Sequence, residues 1–230
     1  PVIVGSFLIN SNLFVDQVVA STLPTGQVST LNYALKLMSL PILMFSAFAK
    51  ATLTSFSEQV SRRDWSGLCN SIRLYTWLML AITIIMTVGA MLFARPAIGM
   101  VFQRGNFGAQ DTTAVSAVFK AAALGLVPMG LGFLIPRVFN AMQRNGILTA
   151  ITVFSVSANV VLDLALAPRY GAVGIALATS IVMAVTAAVQ LVALSRMLGG
   201  FNALGAPAQI RTRWRSVWSQ SWRPGPSSGS

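Results

Sequence analysis

Apolar residues fill this chain in long blocks with no period-2 alternation. Short clusters of Gly, Pro, Ser and charged residues separate the blocks. Six can be drawn, each near the ~20 residues that a helix needs to cross a bilayer. The first runs from about Val2 to Ala20 and the second from about Ser29 to Phe56, interrupted by Pro41. The third covers about Ile72 to Phe93, where Arg95-Pro96 ends it. The fourth covers about Thr112 to Ile135, with Asp111 placed to cap its N-terminus. The fifth spans about Ile147 to Ala167, and the sixth follows Tyr170-Gly171 and reaches about Leu194. The pattern predicts an all-α, polytopic membrane protein of about six transmembrane helices, with a lobe over 1–198 and a tail over 199–230.

Composition agrees with the pattern. The chain is 55% hydrophobic and 9% charged, with a mean hydropathy of +0.71, whereas a soluble domain carries about 25% charged residues. The net charge of +11 does not point to nucleic acid, because the basic residues share no soluble face. They lie at the ends of the apolar blocks and in the tail, and this orients the chain. The loops holding Arg62, Arg63, Arg73, Arg137, Arg144 and Arg196 form the larger basic set and are predicted to be cytoplasmic. The opposite side holds Arg95, Arg104 and Arg169, so the turn Ser21–Thr30 faces outward.

From about Ala208 the composition changes to Arg, Trp, Ser, Pro and Gly. Trp214, Trp218 and Trp222 fall at i, i+4, i+8, which suits an interfacial helix on an anionic leaflet; a disordered or out-of-frame terminus suits the composition too. With Cys69 the single cysteine and no histidine, an internal disulfide and Cys₂His₂-type metal sites are excluded. The usual proton shuttle is absent as well. The chain opens at Pro1 already in apolar sequence, and the expectation is that its true N-terminus is missing.

Charges inside apolar blocks cost roughly 3 kcal/mol each on insertion scales and read as functional candidates. Asp16 lies one turn after Asn12, and Asp163 one turn after Asn159. These are the only acids embedded in apolar spans, each with an amide on the same helical face. Thr179, one turn beyond Ile175, adds a hydroxyl in the sixth block. Two carboxylates, an amide oxygen, a hydroxyl and a backbone carbonyl make an oxygen-rich cage suited to a hard cation such as Na⁺. The competing reading is that these groups only hydrogen-bond neighbouring helices.

Lys36 lies in the outer part of the second block. Its stem permits snorkelling to the headgroups, and its charge equally suits a polar cavity receiving an anionic substrate. Lys50 approaches the inner end of its block, and Lys120 lies about two turns into the fourth. Pro128 and Pro136, with Gly125, Gly130 and Gly132, make that fourth block breakable.

Three stretches carry a resemblance: VDQVVASTLPTGQVSTLNYALKLMSLP at Val15–Pro41, FQRGNF at Phe102–Phe107, and YGAVGIALATS at Tyr170–Ser180. In this order they resemble the MurJ/MviN family of lipid II flippases, within the multidrug/oligosaccharidyl-lipid/polysaccharide exporter superfamily, over roughly Phe7 to Leu198. The resemblance implies that the six blocks correspond to the seventh to twelfth helices of a fourteen-helix protein, its second lobe, with the N-terminal lobe missing. It implies that Lys36 stands where members place a cavity arginine, with Leu35 where an acid often precedes it. It implies a sodium site at Asp16, Asn159, Asp163, Ile175 and Thr179. The activity implied is movement of an undecaprenyl-pyrophosphate-linked peptidoglycan precursor across the bacterial inner membrane by ion-coupled alternating access, a transport function and not an enzymatic one. The alternatives are another superfamily exporter, of drugs or of O-antigen lipid, an intramembrane enzyme acting on polyprenyl phosphates, and a truncated nonfunctional product. The enzyme is disfavoured because no cluster of acids at a membrane face is present to hold a metal on a phosphate.

Overall fold

The structure, a computed structural model, describes residues 16–24, 26–105 and 107–199. Asn12, the three tail tryptophans and nearly all of the tail segment 199–230 lie outside the described residues. A first helix, α1, is described over residues 16–21. It is followed by α2 (Gln27–Ser61), α3 (Trp65–Phe102), α4 (Ala109–Ala123), α5 (Leu126–Ala141) and α6 (Asn145–Met197). No strand occurs among the described residues.

α6 holds 53 residues, about 80 Å if straight, against a hydrocarbon core of ~30 Å. It is not straight. Gly171 takes φ 60° and ψ −141°, a conformation open to glycine and costly for other residues. Beyond it the chain turns back. The Thr186 hydroxyl donates to Ser155 Oγ at 3.1 Å, and the backbone carbonyl of Leu166 lies against Gly174. Both pairs are centred on the break, so residues 145–170 and 172–197 form an antiparallel hairpin of two spans. α2 and α3 are each long and apolar enough to cross a membrane by themselves. α4 and α5 are bent by 44° at a short break and together make one broken span. Counting the two limbs of α6 separately, these give five membrane-spanning segments among the described residues. A face of α3 that includes Trp77, Ile84, Ile85, Val88, Leu92 and Phe93 is exposed, which a bilayer tolerates and water would not.

Several local expectations need correction. Arg95-Pro96 does not end the third helix, which continues to Phe102. Proline removes one donor and crowds the carbonyl four residues earlier, but Ala94 and Ile98 on either side are buried in a shared cluster with Val115 and Val118. That packing holds the helix together. Pro41 likewise does not interrupt α2, where it is itself buried. Asp111 supports the start of α4 from its third position rather than as the cap: its Oδ2 accepts the Gly108 N–H at 2.8 Å. Asp64, in contrast, caps α3 by accepting the Gly67 N–H at 2.9 Å and the Ser66 hydroxyl. These bonds hold its carboxyl below the ordinary carboxylate range.

The break between α4 and α5 has a physical cause in sequence. Pro128 has no N–H to offer the Leu124 carbonyl, and its ring crowds that same group. α5 then packs tightly on α3. A Cβ built on Gly130 would lie 2.6 Å from Thr83 Cγ2 and 3.0 Å from Met79 Cγ. Gly130→Leu is therefore expected to cost about 1–3 kcal/mol by overpacking, measured as a lower unfolding midpoint in detergent. Gly132→Leu, with nothing near its Cβ position, is the matched control and should be mild.

Candidate functional site: a buried carboxylate–amide cage

Asp16 in α1, and Asn159 and Asp163 in the first limb of the α6 hairpin, are brought together in the protein interior. Their exposures are 4%, 1% and 0%. The Asn159 side-chain N–H₂ donates to Asp16 Oδ1 at 2.8 Å and to Asp163 Oδ2 at 2.8 Å. From the second limb the Thr179 hydroxyl reaches Asp16 Oδ2 at 3.4 Å and the Ile175 carbonyl at 3.1 Å. Asp16, Asn159, Asp163 and Thr179 thus converge where α1 meets the hairpin, and the Ile175 carbonyl is tied to them through the Thr179 hydroxyl. The hairpin is what makes this possible, since it lays residue 159 beside residue 179.

The donor count is short. Asn159 spends both amide protons on the two carboxylates, and among the described residues the hydroxyl that reaches the group is that of Thr179. Asn159 Oδ1 and Asp163 Oδ1 are buried with no hydrogen-bond partner. The one ion pair among the described residues joins exposed Arg62 to Glu58 at 2.8 Å, so no described lysine or arginine pairs with either buried carboxylate. Two carboxylates and two orphaned oxygens in an apolar interior need a positive charge or a proton. Oxygen-only donors suit a hard cation. The residues present therefore fit Na⁺.

Lys36 is not part of the cage. It lies on the exposed side of α2, its Nζ 5.3 Å from the centroid of the Tyr33 ring. Tyr33 in turn meets Phe102 and Phe107 edge-on, with centroids at 5.0 and 5.1 Å. The aromatic ends of the Phe102–Phe107 motif thus set the ring over which the lysine sits. No carboxylate pairs with Lys36 among the described residues.

Two polar contacts were not anticipated from sequence. Gln27, the first residue of α2, accepts the Ala172 N–H on its side-chain oxygen at 3.0 Å and so ties the hairpin tip to the α1–α2 turn. Ser180 donates to the Ala121 carbonyl at 2.9 Å. A lone glutamine in a polar turn carries no signal. Ser180 had one, as a hydroxyl in the small-residue run Gly171–Ser180, where small residues let helix backbones approach closely.

Comparison with known proteins places this geometry. A family model described as "Lipid II flippase MurJ" matches residues 1–217. The chain is 26% identical over 182 residues to a probable lipid II flippase MurJ of Helicobacter pylori (strain J99), covering 79% of this chain and 40% of that protein. It is 31% identical over 154 residues to the lipid II flippase MurJ of Thermosipho africanus, covering 66% and 31%. Among solved structures, lipid II flippase MurJ in an inward closed conformation superposes with a TM-score of 0.72 at 22% identity, covering 96% of this chain and 47% of that one. A transporter of the MOP superfamily from Pyrococcus furiosus gives 0.77 at 15% identity, covering 86% and 43%. Both structural likenesses establish the fold, which accounts for less than half of each of those chains. The chain spans less than half the length of the relatives it matches. On the family match over most of its length, this multi-pass membrane chain belongs to the lipid II flippase MurJ family.

Proposed function

We propose that this chain acts as the second lobe of a flippase that moves an undecaprenyl-pyrophosphate-linked peptidoglycan precursor across the bacterial inner membrane, working with an N-terminal lobe. Ion-coupled alternating access is the mechanism that suits it. The observation that carries this reading is the cage: two buried carboxylates on two helical elements, paired with no lysine or arginine among the described residues. A bound Na⁺ would supply the charge that lets both carboxylates remain ionised. Asp16, Asn159, Asp163, Thr179 and the Ile175 carbonyl would hold it.

The chain's own residues then do the mechanical part. Asn159 holds Asp16 and Asp163 together, which clamps α1 onto the hairpin. α1 leads through a short turn into α2, and Gln27 fixes that turn to the hairpin tip. A change in how tightly Asp16 is held therefore reaches α2, which carries Lys36. Lys36, exposed and free of a carboxylate, offers its ammonium to a pyrophosphate as a point charge without the fork of an arginine. A shared proton could neutralise the cage in place of Na⁺, and the Asn159 bridge between the carboxylates is the observation in its favour.

The substrate half of the reading is tested by binding of undecaprenyl pyrophosphate to the purified chain in nanodiscs. Lys36→Met should weaken binding by about tenfold or more, the worth of a charge-assisted contact. Lys36→Arg should tighten it. Equal affinity in all three would remove Lys36 from the substrate path and leave the cargo without support in this lobe.

A further inference from the structure

The residue next to Thr179 faces a different feature, the bend between α4 and α5. At that bend the Gly125 N–H bonds to the Ala122 carbonyl at 2.9 Å, a shortened turn that leaves the Ala121 carbonyl without its usual partner four residues on. Pro128 denies the Leu124 carbonyl its partner too. In an apolar interior a freed carbonyl is costly unless something donates to it. The structure supplies hydroxyls from two other helices. Ser180 Oγ donates to the Ala121 carbonyl at 2.9 Å and lies 3.5 Å from that of Ala122, and Thr87 Oγ1 reaches the Ala123 carbonyl at 3.3 Å.

The contact with the hairpin is close. A Cβ on Gly125 would lie 2.8 Å from Ser180 Oγ and 3.2 Å from its Cα, so no side chain separates the bend from the second limb of α6. Ser180 is 7% exposed. Thr179 and Ser180 are consecutive on one helical limb and project about 100° apart. One reaches into the cage and the other into the bend, and a rigid limb cannot rotate or slide at one without disturbing the other.

The geometry points to Ser180 as a positioning residue that holds the α4–α5 bend and ties its angle to occupancy of the carboxylate cage through Thr179. This rests on the cation reading given above. Its consequence is that cation binding is felt on another face of the limb, in a helix that contributes no ligand to the cage.

The test uses the whole chain in nanodiscs, with two readouts. Spin labels at Gln110→Cys, in the first turn of α4, and Gln143→Cys, just past α5, report the bend as a distance distribution. Thermal unfolding against Na⁺ at constant ionic strength reports the cage. Ser180→Ala should broaden the distance distribution and shift the sodium midpoint by about fivefold or more, the lower end of ordinary coupling. Ser180→Cys, which keeps the size and a weak donor, should fall between Ser180→Ala and the parent. If Ser180→Ala does not fold, Ser180→Cys carries both readouts. A merely structural serine would lower the melting temperature while the distribution and sodium midpoint stay at parental values, and that result overturns the proposal alone. A parent chain with no sodium response overturns the cation reading and the coupling together, and it is recognised because the parent itself is silent.

Discussion

Gly174→Val is expected to destabilise the chain by about 3 kcal/mol or more, at the upper end of overpacking costs. The Cβ it introduces would run into the backbone carbonyl of Leu166 across the hairpin. Backbone cannot swing aside as a flexible side chain can, so the two limbs of α6 must separate. Separation parts Asn159 and Asp163 from Thr179, and the substitution should therefore abolish any cation response along with stability. Gly171→Ala is the companion: it forces a positive φ on a residue with a Cβ and brings that Cβ within 3.0 Å of the Gln27 side chain, at a cost of roughly 1–3 kcal/mol. Gly146→Ala, with nothing near its Cβ position, should be harmless. Chemical unfolding in detergent ranks the three. A Gly174→Val as mild as Gly146→Ala would mean that the hairpin does not close at Leu166.

Asp163→Asn should produce a crossover. In potassium medium the variant is expected to melt at or above the parent, because one of two close buried carboxylates has become a neutral amide of the same shape. In sodium the order should reverse. A ligand that binds only the folded state at a hundred times its dissociation constant adds about 2.7 kcal/mol, and the variant should gain none of this. Parallel melting curves in the two salts, with the parent above the variant by the same margin in both, would reduce the cage to an interhelical hydrogen-bond cluster.

The legible and illegible parts of the chain divide on physical grounds. Asp16, Asn159 and Asp163 stood out because a charge in an apolar block is expensive and an amide one turn away marks a shared face. Their convergence with Thr179 could not be read from spacing, since it depends on a reversal at Gly171 that brings together residues far apart in sequence. The break at Tyr170-Gly171 was legible, yet the helix persists through Arg95-Pro96, where the flanking residues Ala94 and Ile98 are gripped by neighbours. Local proline chemistry sets a tendency and packing decides it. At Pro128 the helix breaks at Leu124–Gly125, where packing favours the bend: hydroxyls of Ser180 and Thr87 meet the carbonyls of Ala121 and Ala123. Ser180 was missed because its signal, a hydroxyl closing the small-residue stretch Gly171–Ser180, does not tell which carbonyl it serves. Lys36 was legible as a charge, and the structure adds the aromatic support of Tyr33, Phe102 and Phe107.

The central claim is that Asp16, Asn159, Asp163 and Thr179 form one cation site. Its most direct test is equilibrium binding of ²²Na⁺ to the purified chain, with K⁺ as competitor and Asp16→Asn and Asp163→Asn alongside. The account predicts saturable binding of one ion per chain, displaced by unlabelled Na⁺ and not by K⁺, and lost in each variant. Absence of saturable binding to the folded parent, or binding that survives in both variants, would contradict it.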